Sequence, residues 1–361
     1  MRQQTKQMIE QLISFIIYRR STDKDFQDLA LSLFSYQFEY NLPYKKYCQK
    51  RRKTPLTVQH WQEIPALPIQ AFKELPLTCE STTEPESVFL TSGTTNVEKR
   101  GQNIHPTLAV WDVSMMTAFK QFVLPDQQTA TIYVLSPAED LNQQSSLSRY
   151  LTNAVKHFGT EDSRFFFKEE GLEMAALTAA LKEKESKREP VLLMGASSAY
   201  VHFIDYCMER DLTFHLPEGS RIFDTGGFKG QSRELTREEM YESFARVFDV
   251  DPNNFINMYG MTELSSQIYE VTAQSPRFEK VNPDWVKTLV LDPDTLRPVK
   301  AGEIGVLAHY DLANWNSCMA VLTEDIGYET ENGFVLLGRV EGSEARGCSI
   351  AVDELMKANG K

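Results

Sequence analysis

Several common chemistries are excluded by what this chain does without. Its five cysteines, Cys48, Cys79, Cys207, Cys318 and Cys348, are scattered, odd in number and never spaced as CxxC. That excludes a disulfide framework and a zinc ribbon, and it makes a reducing cytoplasm the natural home. Basic charge is in deficit: 38 Lys and Arg against 50 Asp and Glu leave a formal net charge of −12, which argues against nucleic acid as the main partner. A nucleotide is not excluded, because phosphates are held by local backbone donors rather than by net charge. Long apolar runs are missing too. The stretch from Leu12 to Tyr18 is interrupted by Ser14, preceded by Glu10 and too short to span a bilayer, and no small-residue cleavage site follows. Neither a targeting segment nor stable membrane insertion is expected. The GxxxxGK[ST] loop, internal repeats and low-complexity tracts are absent, and no HxxxH or paired-carboxylate pattern suggests a structural metal or glycosidase chemistry.

What remains is an ordinary globular composition, 42% apolar and 24% charged, in a chain long enough for one large α/β domain with an appendage, or for two domains. Residues 5 to 50 read as helical, with Met8, Ile9, Leu12, Ile13, Ile16 and Ile17 at i, i+3, i+4 spacings. The basic run Lys45 to Lys53 reads as a solvated loop or helix face, or as a docking site for an acidic partner. IPALPIQAFKELP then reads as a proline-punctuated connector.

From residue 87 the pattern changes to short apolar strands, SVFL, ATIYVL, PVLLMGA, SRIFD and NFINMY, each running into a Gly/Ser/Thr turn. Helical stretches near 107–122, 144–158, 171–187, 198–210 and 234–248 lie between them. Such alternation predicts a mostly parallel sheet covered by helices, with ligands at the carboxyl ends of its strands. Beyond 285, two strand patterns with DPDT and KAGE turns predict an antiparallel β subdomain. The expected blocks are a helical region at 1–86, a nucleotide- and acyl-binding core at 87–284, the antiparallel subdomain at 285–335, and a hinge-like segment with a short tail at 336–361.

Three polar turns carry candidate chemistry. Thr91-Ser92-Gly93-Thr94-Thr95-Asn96-Val97-Glu98-Lys99 offers backbone donors, hydroxyls and a cation to phosphate oxygens. Asn257-Met258-Tyr259-Gly260-Met261-Thr262-Glu263 offers a ring to cover a purine, a hydroxyl for a phosphate and a carboxylate for Mg²⁺. Asp224-Thr225-Gly226-Gly227 permits close backbone approach to a planar ligand. Taken singly, each also reads as an ordinary turn or strand end, and for the loop at 91–99 and the turn at Asp224 that is the commoner reading.

Together, and with Thr323-Glu324-Asp325-Ile326-Gly327 and Gly338-Arg339-Val340-Glu341 following in order, they resemble the motifs of the adenylate-forming superfamily of acyl-CoA ligases and luciferases. The resemblance implies that superfamily's α/β core. It implies that Ser92, Gly93, Thr94, Thr95 and Lys99, with Thr91, cradle the phosphates of ATP. Gly226, Gly227, Tyr259 and Gly260 would hold the adenine, Thr262 the α-phosphate, Glu263 the magnesium, and Asp325 with Arg339 the ribose. Asn96, Glu98 and Glu324 depart from the superfamily's pattern. The chain also ends at Lys361, where the superfamily adds a domain of roughly one hundred residues bearing a catalytic lysine. That domain is expected to be missing or vestigial, with Lys99 or Lys229 as replacement cations.

The ending GRVEGSEARGCS is similar to that of the acyl-protein synthetases, the synthetase components of bacterial fatty-acid reductase complexes. This implies a long-chain fatty acid as substrate, Cys348 as acyl acceptor with Arg346 favouring its thiolate, and acyl reductase and acyltransferase partners. Two other readings stay open: an acyl- or aryl-CoA ligase, and a non-catalytic nucleotide-binding subunit. His105 is a candidate for placing the carboxylate or a loop histidine without a role. The helix around His202 and Phe203 either lines an acyl pocket or faces the core.

Overall fold

The computed structural model describes residues 1–18, 22–91, 100–226, 232–272, 278–339 and 346–360, with side chains of the last segment described from residue 350 on. Two compact units are present: Met1–Thr117 with Met261–Ile268 and Glu279–Lys361, and Ala118–Gly260 with Tyr269–Phe278. The blocks expected from sequence are contiguous, whereas the chain leaves the first unit and returns to it twice. Long-range strand pairing produces this interleaving, and local patterning carries no trace of it.

The first unit begins with helices Gln3–Tyr18, Asp23–Tyr40 and Leu42–Lys50. Met8, Ile9, Leu12 and Ile16 bury one stripe of the first helix, as their spacing predicts, while Ile17 turns to solvent. Thr22 and Asp25 form a reciprocal capping box at the second helix, and Asn41 caps the third by accepting from the Tyr44 amide. The basic run thus ends a helix whose Tyr47 and Cys48 are buried.

Its strands Val286–Leu291, Ile304–Asp311, Ala320–Glu329, Gly333–Arg339 and Glu279–Val281 lie in that order, each antiparallel to the next. Leu67–Pro68 adds in parallel to Ala320–Glu329, with Leu67 opposite Val321. The presumed connector therefore joins the sheet. SVFL also departs from expectation: Ser87–Leu90 pairs antiparallel with Gln102–His105 as a separate two-stranded ribbon, outside any parallel sheet. The C-terminal segment forms a helix, Arg346–Ala358, where a short tail was expected. It is held to Leu42–Lys50 and the adjoining turn by an Arg51–Glu354 ion pair of 3.0 Å and by the buried Ala351 and Leu355.

The second unit is the expected parallel sheet. Phe255–Tyr259, Arg221–Thr225, Leu192–Ala196, Ile132–Val134 and Arg164–Phe165 are paired in that order. The inner strands are buried along nearly their whole length, because helices cover both faces of such a sheet. Helices Ser197–Glu209 and Arg237–Phe248 supply much of the core. Phe203 stacks there on Phe214 and Phe248 at 6.1 and 6.0 Å, so its helix faces the core rather than an acyl pocket, and His202 lies on the exposed side.

No helix among the described residues is long and apolar enough to cross a membrane.

Candidate active site

In the second unit, the DTG turn and the end of NFINMY are held by one buried polar network. Asp224 Oδ2 accepts from Ser197 Oγ and Asn257 Nδ2, both at 2.9 Å, and Thr225 Oγ1 donates to the Met258 carbonyl at 2.9 Å. Arg237 bonds Asn257 Oδ1 at 3.2 Å and pairs with the fully buried Glu270, which also accepts from Tyr241 at 2.8 Å. Buried polar groups of this kind lock two strand ends at a fixed stagger. The turn they hold contains Gly226 at φ +77°, with no described residue within 4 Å of where a side chain would project. A flat ligand can approach that backbone closely. Tyr259 and Gly260 follow Met258 at the neighbouring strand end. Gly227 and Lys229 lie outside the described residues.

The other motif residues belong to the first unit. Residues 92–99 lie outside the described residues, so Ser92, Gly93, Thr94, Thr95 and Lys99 have no described placement. Their base is closed by Thr91 and Gly101: the Thr91 amide donates to the Gly101 carbonyl and the Gly101 amide to Thr91 Oγ1, both at 2.9 Å. The Thr91 hydroxyl thus closes the segment. A Cβ on Gly101 would sit 2.9 Å from Thr91 Cγ2, so glycine is needed for that closure.

Thr262 and Glu263 are pinned by their backbones. Asn103 Nδ2 donates to the Thr262 carbonyl at 3.0 Å, Asn314 Nδ2 to the Glu263 carbonyl at 2.8 Å, and Thr262 Oγ1 to the Leu90 carbonyl at 3.3 Å. The fully buried Asp311 carries the next turn. It accepts from the Ser265, Ser266 and Ala313 amides at 2.9, 2.8 and 2.9 Å and from Ser266 Oγ at 2.7 Å. Burial raises its carboxyl to about 6 despite those bonds. The sequence reading missed Asp311 and Asn314, although an aspartate and an asparagine near the end of an apolar strand pattern are an available signal.

The Glu263 carboxyl is 5% exposed, and burial pushes it up to about 7. Its own backbone amide and the charges of Arg339 and Lys73 pull the other way, while Asp325 adds to the rise. Asp325 and Arg339 are direct partners across antiparallel strands, beside a bulge between Ile326 and Gly327, and Arg339 Nε donates to Asp325 Oδ1 at 2.9 Å. The departure at Glu324 has a local explanation, since Glu324 accepts a hydrogen bond from Gln70 Nε2.

His105 is no loop residue. It lies on Gln102–His105 against Phe89, and burial lowers it to about 3, so it is neutral. Among the described residues its Nε2 has no hydrogen-bond partner. Cys48, Cys79, Cys207 and Cys318 are all buried, and burial raises each thiol, to about 11 at Cys207 and about 12 at Cys318. Such thiols are poor nucleophiles. Cys348 lies in the first turn of the C-terminal helix, where side chains are not described.

Among solved structures, the fold is similar to 2-hydroxyisobutyryl-CoA ligase in the postadenylation state with 2-HIB-AMP, at TM-score 0.66 and 15% identity, covering 88% of this chain and 68% of that one. It is also similar to ATP-bound MatB from Rhodopseudomonas palustris, at TM-score 0.53 and 14% identity, covering 72% and 49%. This is an adenylate-forming-ligase fold. Two curated relatives, each called long-chain-fatty-acid–luciferin-component ligase, share 22% identity. The one from Aliivibrio fischeri matches over 93% of this chain and 90% of its own length, and the one from Vibrio harveyi over 91% and 88%. The family model of the acyl-protein synthetases, LuxE, matches residues 14–357, and the chain belongs to that family.

Proposed function

We propose that this protein uses ATP to convert a long-chain fatty acid into its acyl-adenylate and then passes the acyl group to the thiol of Cys348. The observation that carries the first step is the gathering of Glu263, Asp325 and Arg339 in one electrostatic group, with the backbones of Thr262 and Glu263 held by buried asparagines. Family membership supports the thiol as the acceptor class. The raised thiols of the four buried cysteines support Cys348 over any of them.

By their places in the superfamily's motifs, Gly226 and Tyr259 would serve the adenine of ATP, Asp325 its ribose hydroxyls and Thr262 its α-phosphate. Magnesium suits Glu263, a hard oxygen donor whose raised proton affinity reports an undercompensated buried charge. One carboxylate plus substrate phosphates is a common way to hold that ion, which then neutralises charge on the phosphates. Asp325 fixes the ribose and is itself aimed by Arg339, so that the α-phosphorus is presented to the carboxylate. Cytoplasmic residence and passage of the acyl group to a reductase partner belong to the same proposal.

ATP–pyrophosphate exchange against a panel of fatty and aromatic acids, with and without coenzyme A, tests it. Exchange driven by long-chain acids, with label accumulating on the protein, is the expected result. Label only on added coenzyme A favours the CoA-ligase reading, and no exchange with any acid favours a non-catalytic subunit.

A further inference from the structure

We propose that Lys73 is the catalytic cation of the adenylation step, forming with Arg100 the basic wall of a subsite for the β- and γ-phosphates. The inference rests on the proposed function and adds to it a residue outside all the recognised motifs.

The need arises from charge. The described side chains proposed to surround ATP include two carboxylates, Glu263 and Asp325, and the guanidinium of Arg339 is paired with one of them. A polyanionic phosphate chain placed beside carboxylates needs further positive groups to be held and to react.

The fold puts Lys73 between the strand of Asp325 and the bonded pair Thr91 and Gly101 in its unit. On one side, the segment before it is tied to the strand of Asp325. Leu67 and Pro68 pair with Val321 and Leu322, the Ile69 amide donates to the Leu322 carbonyl at 2.9 Å, and Gln70 bonds Glu324. The short helix Ala71–Glu74 that follows is thereby fixed beside TEDIG. On the other side, Lys73 Cγ lies 3.4 Å from where a Cβ on Gly101 would be, and the Gly101 amide donates to Thr91 Oγ1. Lys73 and Arg100 line one pocket of about 440 Å³, together with Leu75, Leu90, Gln102 and the acidic Glu74. Both cations are exposed, so their head groups can turn toward an anion. Leu90, which lines the same pocket, accepts at its carbonyl from the Thr262 hydroxyl at 3.3 Å.

In the reaction, a fatty-acid carboxylate oxygen bonds to the α-phosphorus. The bond from that phosphorus to its bridging oxygen breaks, and pyrophosphate leaves with the electron pair. No proton need be transferred. Negative charge grows on the departing phosphates, and Lys73 opposes it from the subsite while remaining protonated. The later attack of a thiol on the acyl-adenylate involves no pyrophosphate, so Lys73 has no part in it.

The test compares wild type, Lys73→Met and Lys73→Arg in two assays: ATP–pyrophosphate exchange with a long-chain fatty acid, and protein acylation from preformed acyl-adenylate. Lys73→Met should lower the exchange kcat on the order of 100-fold. Lys73→Arg should recover part of that loss because it keeps the charge. Acylation from acyl-adenylate and the melting temperature should stay at wild-type values in both variants. Wild-type exchange in Lys73→Met would overturn the proposal and leave the proposed function standing. Equal loss of both half-reactions, or a lowered melting temperature that Lys73→Arg does not restore, would show a structural role and also overturn it. A wild-type protein that exchanges with no acid would remove the underlying function, and this inference with it.

Discussion

Arg339 Nε donates to Asp325 Oδ1 at 2.9 Å from the residue directly opposite on the neighbouring strand. The aspartate side chain is 7% exposed and the arginine 61%, so a buried carboxylate is aimed by a cation whose own charge stays in water. A carboxylate held in one orientation is suited to accept from ribose hydroxyls.

Asp325→Ala should therefore raise the KM for ATP in pyrophosphate exchange by roughly 10- to 100-fold, the equivalent of one charge-assisted hydrogen bond. The KM for the fatty acid should hardly move. An unchanged KM for ATP would show that TEDIG is only a structural turn.

Glu263→Gln should abolish exchange while the protein stays folded, because an amide lacks the charge that a magnesium ion needs. It should also alter the pH dependence of stability. The folded carboxyl titrates near 7 against an ordinary 4.5, so its neutral form favours the folded state. That contribution is complete below about 4.5 and is lost as pH rises through about 7. Without magnesium, wild type should lose melting temperature across this range faster than Glu263→Gln. Parallel curves for the two proteins would contradict the assignment.

Asp311→Asn tests the support beneath the site. The carboxylate accepts from three amides and a hydroxyl. An amide has a single acceptor oxygen and brings two donors to a place whose described partners are three amides and one hydroxyl, so several bonds are lost in a buried place. A loss of roughly 3 kcal/mol is expected in denaturant unfolding. Unchanged stability would mean that the Ser265–Ser266 turn is held from elsewhere.

Cys348→Ser should lose the hydroxylamine-labile acyl label yet still exchange pyrophosphate, since adenylation precedes acyl transfer. Cys207→Ala and Cys318→Ala should keep the label, because their thiols are buried and raised to about 11 and about 12. Label that follows Cys207 or Cys318 would keep the function and move the acceptor.

The motifs were legible in the chain because each is contiguous. A strand that stops at small or hydroxyl residues leaves its own signature, as at Thr225-Gly226 and Tyr259-Gly260. The connector IPALPIQAFKELP was misjudged for the opposite reason. Its strand is only Leu67–Pro68, too short for any periodicity, and its partner lies some 250 residues later in the chain. A weaker signal was present: Lys73 is the one Lys or Arg between Lys53 and Lys99.

Composition, order of motifs and local alternation thus sufficed for an α/β ligase core with a nucleotide chemistry, because those features depend on neighbours in the chain. Which groups face one another depended on the tertiary structure. Asp325 meets Arg339 through the register of two strands next to a bulge, and Asn314 reaches the Glu263 carbonyl across 51 residues. Asp311 became a turn support, and Lys73 a site residue, in the same way. Register and burial are collective properties of the packed sheet, and a one-residue slip would exchange every such pair while leaving each motif intact.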